Sequence, residues 1–440
     1  MKRFPALAVA LASALALPVL GETPGGPVVP LADHHEHLLS PASAKLVNDP
    51  LLPAVALPED LGRLFQAVEK GWNDQQALTA LFTEDSLVLD SREPRWIQGR
   101  DEATKFLSEL FARPYRVTPV AYGIEGSAGH VVAYLTRGEG TAAKHFGQAL
   151  FSVRKGMDGV WRIAAESATF PGPQIRETRT ADDLIAVLDE AGIRRAAVLS
   201  VAYWFGSPLM PKPEGDEYAN VRAENDWTAG QAARYPDRLV AFCSFNPLKD
   251  YALQEIDRCA KIPQVKGIKL HFGNSGVDVR SPEHVEKLRK VFAAANARHL
   301  AIVAHLWTLD KRYGREDAQV LLDKILPAAP GVPVQIAHFA GGGPGYTDEA
   351  LAVYADAITA GDPRTKNLYF DVATVADQQP AEVLRTFARH IRQVGLHRVL
   401  FGTDLGPPMP RQSWLIFRTT VPLTDDEFRT IAGNVAPYFR

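Results

Sequence analysis

Five ionisable residues in a row, Asp33-His34-His35-Glu36-His37, close the apolar run Val28-Val29-Pro30-Leu31-Ala32. If that run is a strand, its side chains alternate between two faces. Asp33, His35 and His37 then share one face, and His34 and Glu36 the other. Two imidazoles on one face at the C-terminal end of a strand can chelate a divalent metal. Paired histidines also cap strands without any metal, and the motif alone does not separate the two readings.

Four more segments end in the same way. Gly267-Ile268-Lys269-Leu270-His271 puts Lys269 and His271 on one face; Ile302-Val303-Ala304 runs into His305; Gln335-Ile336-Ala337 runs into His338, with Gly341-Gly342-Gly343 beyond; and Phe401-Gly402-Thr403 runs into Asp404. A buried His or Asp needs a partner, because an unpaired polar group away from water is expensive. One polar strand end has an easy structural explanation. Five that converge need a shared cation or a dense hydrogen-bond network. Histidine and carboxylate ligands suit zinc, manganese or iron, with a position left for water. Such a metal lowers the pKa of its water to about 7. His34 and Glu36, facing away, read as structural.

The elements that would position these residues alternate in type. Strand patterns fall at Val28–Asp33, Arg195–Ala202, Leu239–Phe245, Val265–Phe272, Leu300–Leu306, Val332–Phe339, Leu368–Ala373 and Val399–Thr403, with amphipathic helical patterns between the later ones. Eight short apolar strands separated by helices describe a mostly parallel sheet buried on both faces. Their number is that of the (β/α)8 barrel, whose strand ends converge on one mouth. A doubly wound open sheet would expect a Gly-rich first turn, and none follows the first strand.

Between strands one and two lies a block with a different rhythm. Helical patterns start at Pro58, Asp74 and Asp101, and strand patterns follow at Ser86–Leu89, Arg116–Gly123, His130–Arg137, Gly147–Lys155 and Val160–Ser167. Helices and then a run of antiparallel strands spell a small α+β domain. The expected division is a leader over 1–21, the first barrel strand and linker over 22–56, the α+β insertion over 57–170, and the remainder of the barrel over 171–440.

The 440 residues carry a formal net charge of −3 and 46% hydrophobic residues. That is ample for a large core, and it gives no reason to expect nucleic acid as a partner. Lys2 and Arg3 precede an apolar run ending near Gly21. This is a signal-peptide pattern, too short and too interrupted by Pro5 and Pro18 for a comfortable membrane span. The expected location is secreted or periplasmic, with no membrane span after cleavage. Cys243 and Cys259 are the two cysteines; a disulfide and a pair of buried thiols both remain open, and two thiolates are too few for a metal site of their own.

Taken together in their order, the Asp33–His37 stretch, Tyr235-Pro236-Asp237-Arg238-Leu239, the Gly267–His271 strand, His305, His338 with its glycines and Phe401-Gly402-Thr403-Asp404 resemble the amidohydrolase superfamily, in its amidohydrolase-related branch of metal-dependent hydrolases, lactonases and non-oxidative decarboxylases. The resemblance implies one divalent metal ion, zinc first and manganese or iron as alternatives, held by His35, His37, His305 and Asp404. It implies that His338 orients or deprotonates the metal-bound water or polarises the substrate, with Asp404 taking or relaying the proton. Lys269 and His271 then read as substrate-binding or structural groups; in binuclear relatives a carbamylated lysine on this strand bridges two metals. The inserted block resembles the SnoaL-like domain through Leu81-Phe82-Thr83-Glu84-Asp85, Gly99-Arg100 and the Asp158–Ile163 hairpin. Such domains bind ligands, catalyse or dimerise, so a homodimer is left open, and His130, His145 and Tyr122 are given no catalytic role.

Three functions follow as expectations. The first is a hydrolase in which metal-bound water attacks an ester, lactone or amide of a small organic substrate. Tyr203, Trp204, Phe205 and Pro208 suit a ring-bearing or acyl group, although packing explains them equally. The second is a metal-dependent decarboxylase, a lyase of a small carboxylated substrate. The third is a secreted ligand-binding protein with a silent barrel, ranked last because all four ligand positions are intact.

Overall fold

The computed structural model describes residues 28–48, 51–90, 95–111, 113–138, 144–170, 176–308, 310–343, 345–377, 379–405 and 409–439. The signal-like stretch 1–21 lies outside them. The chain divides into two compact units, one running from Val47 to Arg176 and the other comprising the barrel segments up to Leu46 and from Glu177 to Arg440.

The first barrel strand, β1, spans Ala32–Glu36. It starts later than the apolar run suggests because Pro30 has no N–H to give to a ladder. The helix Pro41–Val47 follows. The inserted unit then supplies β2 (Phe82–Asp90), β3 (Arg95–Gln98), β4 (Arg116–Glu125), β5 (Ala128–Arg137), β6 (Lys144–Lys155) and β7 (Trp161–Thr169), with helices Glu59–Lys70, Gln75–Thr79 and Arg100–Leu110. Its sheet has the order β3-β2-β7-β6-β5-β4. The helix expected from Asp74 to Phe82 stops at Thr79 because Phe82, 1% exposed, already belongs to β2. The β2–β7 pairing is parallel, which a plain meander of strands does not anticipate. Leu61, Phe65, Phe151 and Ile163 fill the space between helices and sheet.

The other unit continues with β8 (Arg195–Leu199), β9 (Leu239–Ser244), β10 (Val265–His271), β11 (Ala301–His305), β12 (Val334–Ile336), β13 (Leu368–Asp371) and β14 (Val399–Leu400). All neighbours in the order β1-β8-β9-β10-β11-β12-β13-β14 are parallel. Three backbone bonds join the first strand to the end of the eighth: His34 N to Phe401 O (2.9 Å), Thr403 N to His35 O (3.3 Å) and Asp404 N to His35 O (2.6 Å). The protein is thus a (β/α)8 barrel interrupted after its first strand by a small α+β domain. Leu199, Phe242, Val303, Leu400 and Tyr438 pack together in one buried cluster. A Cβ on Gly267 would stand 2.2 Å from the Phe242 ring, so only glycine fits there.

Strand six departs most from expectation. It ends at Ile336, and His338, Phe339 and Ala340 follow with φ of 52°, 50° and 70°. Three consecutive non-glycine residues in the left-handed region, a conformation L-residues rarely adopt in succession, follow the strand's end. Cys243 and Cys259 form a disulfide tying β9 to the helix Ala252–Cys259. Among the described residues, no helix is long and apolar enough to cross a membrane.

Candidate metal centre

Strand β1 sends its residues to different places. His35 and His37 reach the rim, where their Nε2 atoms lie 3.7 and 3.4 Å from Asp404 Oδ1. Asp33 instead ties β1 to the eighth strand, accepting the Thr403 N–H at 3.2 Å and the Thr403 hydroxyl. Glu36 Oε2 pairs with Arg179 Nη1 at 2.9 Å, and Arg179 also donates to the His37 carbonyl. His34 lies edge-on to Tyr438 and Phe439, and its Nε2 accepts the Ala436 N–H. Strict alternation would turn it to the face shared with Glu36. A register shift between Asp33 and Glu36 breaks that alternation.

The ring nitrogens have assigned roles. His37 Nδ1 donates to the Leu199 carbonyl (2.6 Å), His338 Nδ1 to the Ala373 carbonyl (2.8 Å), and His35 Nδ1 to Asp371 Oδ2 (3.1 Å). A carbonyl or carboxylate only accepts, so each Nδ1 carries the hydrogen and each Nε2 keeps its lone pair. Burial, as the leading cause, pushes the pKa of His37 well down and that of His338 down, which keeps these rings neutral. Asp404 is held below the ordinary carboxylate range. Burial works against this, and the charge that His35, His338 and His37 carry in their protonated form, with that of Lys269, outweighs it.

Asp404 turns its two oxygens to different neighbours. Oδ1 faces His35 and His37, and Oδ2 lies 3.6 Å from His338 Nε2. These spacings are wider than an ordinary hydrogen bond. They match the separation of neighbouring ligands on one tetrahedral ion, which is about 3.3–3.6 Å for metal–ligand bonds of about 2.0–2.2 Å. Apart from the Lys269 Nζ at His35 Nε2, the lone pairs and the carboxylate face one another without hydrogens between them, and they repel unless a further cation or protons sit among them. The residues present therefore fit a divalent metal.

The remaining candidates surround this group. Lys269, 1% exposed, places Nζ 3.1 Å from His35 Nε2, and burial pushes its pKa down to about 8. His305 stacks on His271 with centroids 3.9 Å apart and planes 17° apart, and its centroid is 5.0 Å from that of His338. His305 Nδ1 is buried with no hydrogen-bond partner among the described residues. His271 Nδ1 accepts the Asn274 N–H (3.2 Å), and Tyr203 lies 5.1 Å away, ring to ring. His35, His338 and Asp404 form the tightest ligand group, with His37 joined through Asp404 and His305 beside it.

A family model described as Amidohydrolase matches residues 206–434, more than half of the chain. The chain belongs to the amidohydrolase family. Its matched segment carries Lys269, His271, His305, His338 and Asp404, whereas β1 with His35 and His37 lies before it. No curated protein matches the sequence. Among solved structures, the chain is similar to the apo form of Metarhizium anisopliae IDCase, at 13% identity over 92% of this chain and 95% of that one, with a TM-score of 0.45. It is also similar to 5-carboxyvanillate decarboxylase LigW2 from Novosphingobium aromaticivorans with bound manganese, at 16% identity over 58% and 79%, TM-score 0.41. An NTF2-like protein from Pseudomonas putida aligns at 14% identity over 25% of this chain and 83% of its own, TM-score 0.22.

One rim residue escapes a reading of strand-end histidines. Asp371 ends β13 within Tyr369-Phe370-Asp371-Val372-Ala373 and is fully buried. A lone carboxylate in an apolar strand, at the end where the other strands carry their polar residues, is the signal that marks it.

Proposed function

We propose that this amidohydrolase is a metal-dependent hydrolase of a small organic ester, lactone or amide. Facing Nε2 lone pairs of His35, His37 and His338 around the Asp404 carboxylate carry the reading. His35, His37 and Asp404 Oδ1 would hold one divalent cation, zinc first, with His305 completing the set. When bound, such a cation polarises a carbonyl and makes a water nucleophilic near neutral pH.

The chain's own groups then divide the work. Asp404 Oδ2, on the side away from His35 and His37, accepts the proton of the attacking water. His338 Nε2, beside that oxygen, receives a proton in turn or donates it to the leaving group once protonated. Lys269 places a buried ammonium at the same point and orients a substrate oxygen. Tyr203 and His271 offer an apolar and aromatic wall beside it. The Lys269 ammonium also favours a second reading, in which it pairs with the carboxylate of a substrate that loses carbon dioxide. The disulfide suits an oxidising compartment, which supports export through the signal-like N-terminus.

The test is a panel of lactones, esters, amides and aromatic carboxylic acids, assayed for ring opening or cleavage and for carbon dioxide release. Asp404→Asn should lower turnover by about 10²–10⁴-fold, the range of general acid–base contributions. Carbon dioxide release without hydrolysis would replace the first reading with the second.

A further inference from the structure

We propose that Asp371 is a positioning residue that sets two of the rim imidazoles from a single carboxylate. Its Oδ2 accepts from His35 Nδ1 (3.1 Å) and Gln335 Nε2 (2.7 Å), and its Oδ1 accepts from the backbone N–H groups of His338 (3.0 Å) and Ala373 (3.2 Å). All four bonds reach a fully buried residue. Gln335 is itself oriented, because its Oε1 accepts the Tyr438 hydroxyl at 2.7 Å and its Nε2 also reaches the His34 carbonyl at 3.1 Å. The carboxylate is thus fixed from below before it touches either imidazole.

Each pair of bonds does a separate job. At Oδ2 an acceptor-only group forces the hydrogen of His35 onto Nδ1, so Nε2 keeps its lone pair, directed toward Asp404 and the Lys269 Nζ 3.1 Å away. At Oδ1 the carboxylate pins two left-handed segments at their entry points. His338 opens the run with φ of 52°, 50° and 70°, and Ala373 precedes Thr374 at φ 59°. Left-handed backbone is unfavourable for every non-glycine residue because Cβ crowds the following carbonyl oxygen, so these turns need anchors. The second anchor also serves the first imidazole's neighbour, since the Ala373 carbonyl receives His338 Nδ1. Asp371 therefore holds His338 by its own amide and by the residue that supports its ring. It connects β1, through His35, with β13 and with the segment that follows β12.

This inference rests on the metal-site reading only for its functional consequence, and the experiment separates the two. In ion-free protein carrying ¹⁵N-labelled histidine, His35 should show a protonated Nδ1 and a bare Nε2. Asp371→Asn offers N–H to His35 Nδ1 and should move that hydrogen to Nε2. The same variant should bind zinc about 10–100-fold more weakly, the usual cost of losing a carboxylate behind a ligating imidazole, as read by competition with a chromophoric chelator. A wild-type His35 protonated on Nε2 would overturn the proposal even if Asp371→Asn fails to fold. So would a variant with a lowered melting temperature but unchanged tautomer and zinc affinity, which describes a purely structural residue. Wild-type protein with the expected tautomer but no stoichiometric zinc would sink the metal-site reading instead and leave the positioning role standing.

Discussion

In the inserted unit Glu166 is 4% exposed, faces a small cavity lined by Leu107, Leu110 and Phe170, and has no hydrogen bond or ion pair on its carboxylate among the described residues. Burial pushes its pKa up to about 7. At the barrel rim Asp371, no less buried, is held below the ordinary carboxylate range; burial opposes this, and His35 and His338 outweigh it. Both units place carboxyl groups away from water, with opposite results. A solitary buried carboxyl escapes its desolvation cost by keeping a proton. A carboxylate set among imidazoles and oriented N–H groups stays charged, and the excess of lone pairs around it calls for a cation. Convergence distinguishes the two, because burial is common to both.

That contrast can be broken by removing the charge in the inserted unit. The Glu166 carboxyl titrates near 7 in the folded chain and near 4.5 when unfolded. Its penalty is therefore absent below the unfolded value and complete above the folded one, so stability falls as pH rises between them. Glu166→Gln should raise stability by about 3 kcal/mol at pH 8 and change nothing at pH 4, measured by urea unfolding. Equal gains at both pH values would mean that packing, not charge, is the burden.

The rim differs from the inserted unit in its backbone as well. Among the described residues, five of the six non-glycine residues with positive φ are His338, Phe339, Ala340, Thr374 and Asp404, all at the ends of strands six, seven and eight. Strain of this kind gathers where geometry is imposed for function. Ala340→Gly should relieve part of it and raise the melting temperature, with a gain of up to about 1 kcal/mol. A loss of stability would show that Ala340 sits in the turn without strain.

Much of the architecture was legible because period and punctuation are local. Runs such as Leu239–Ser244 and Val265–His271 announce buried strands by their apolar, β-branched content, and the polar residue at each end marks the mouth. What was hidden depends on long-range contacts. Pro30 shifts the start of β1, and the register change after Asp33 rotates His34 away from its alternation partner. Nothing local to Ala337–Ala340 signals a left-handed turn, since glycine is absent until Gly341. Asp371 was legible in principle, but its importance comes from partners 33 and 336 residues away. The Cys243–Cys259 pairing likewise followed from the fold, because spacing alone left it open.

The most direct test is a crystal structure of the protein grown with zinc or manganese, with anomalous scattering collected at that metal's absorption edge. A single strong peak bonded to His35 Nε2, His37 Nε2 and Asp404, at about 2.0–2.2 Å for zinc, is the expected result. Metal-saturated crystals with no peak among these atoms would contradict the account at its root.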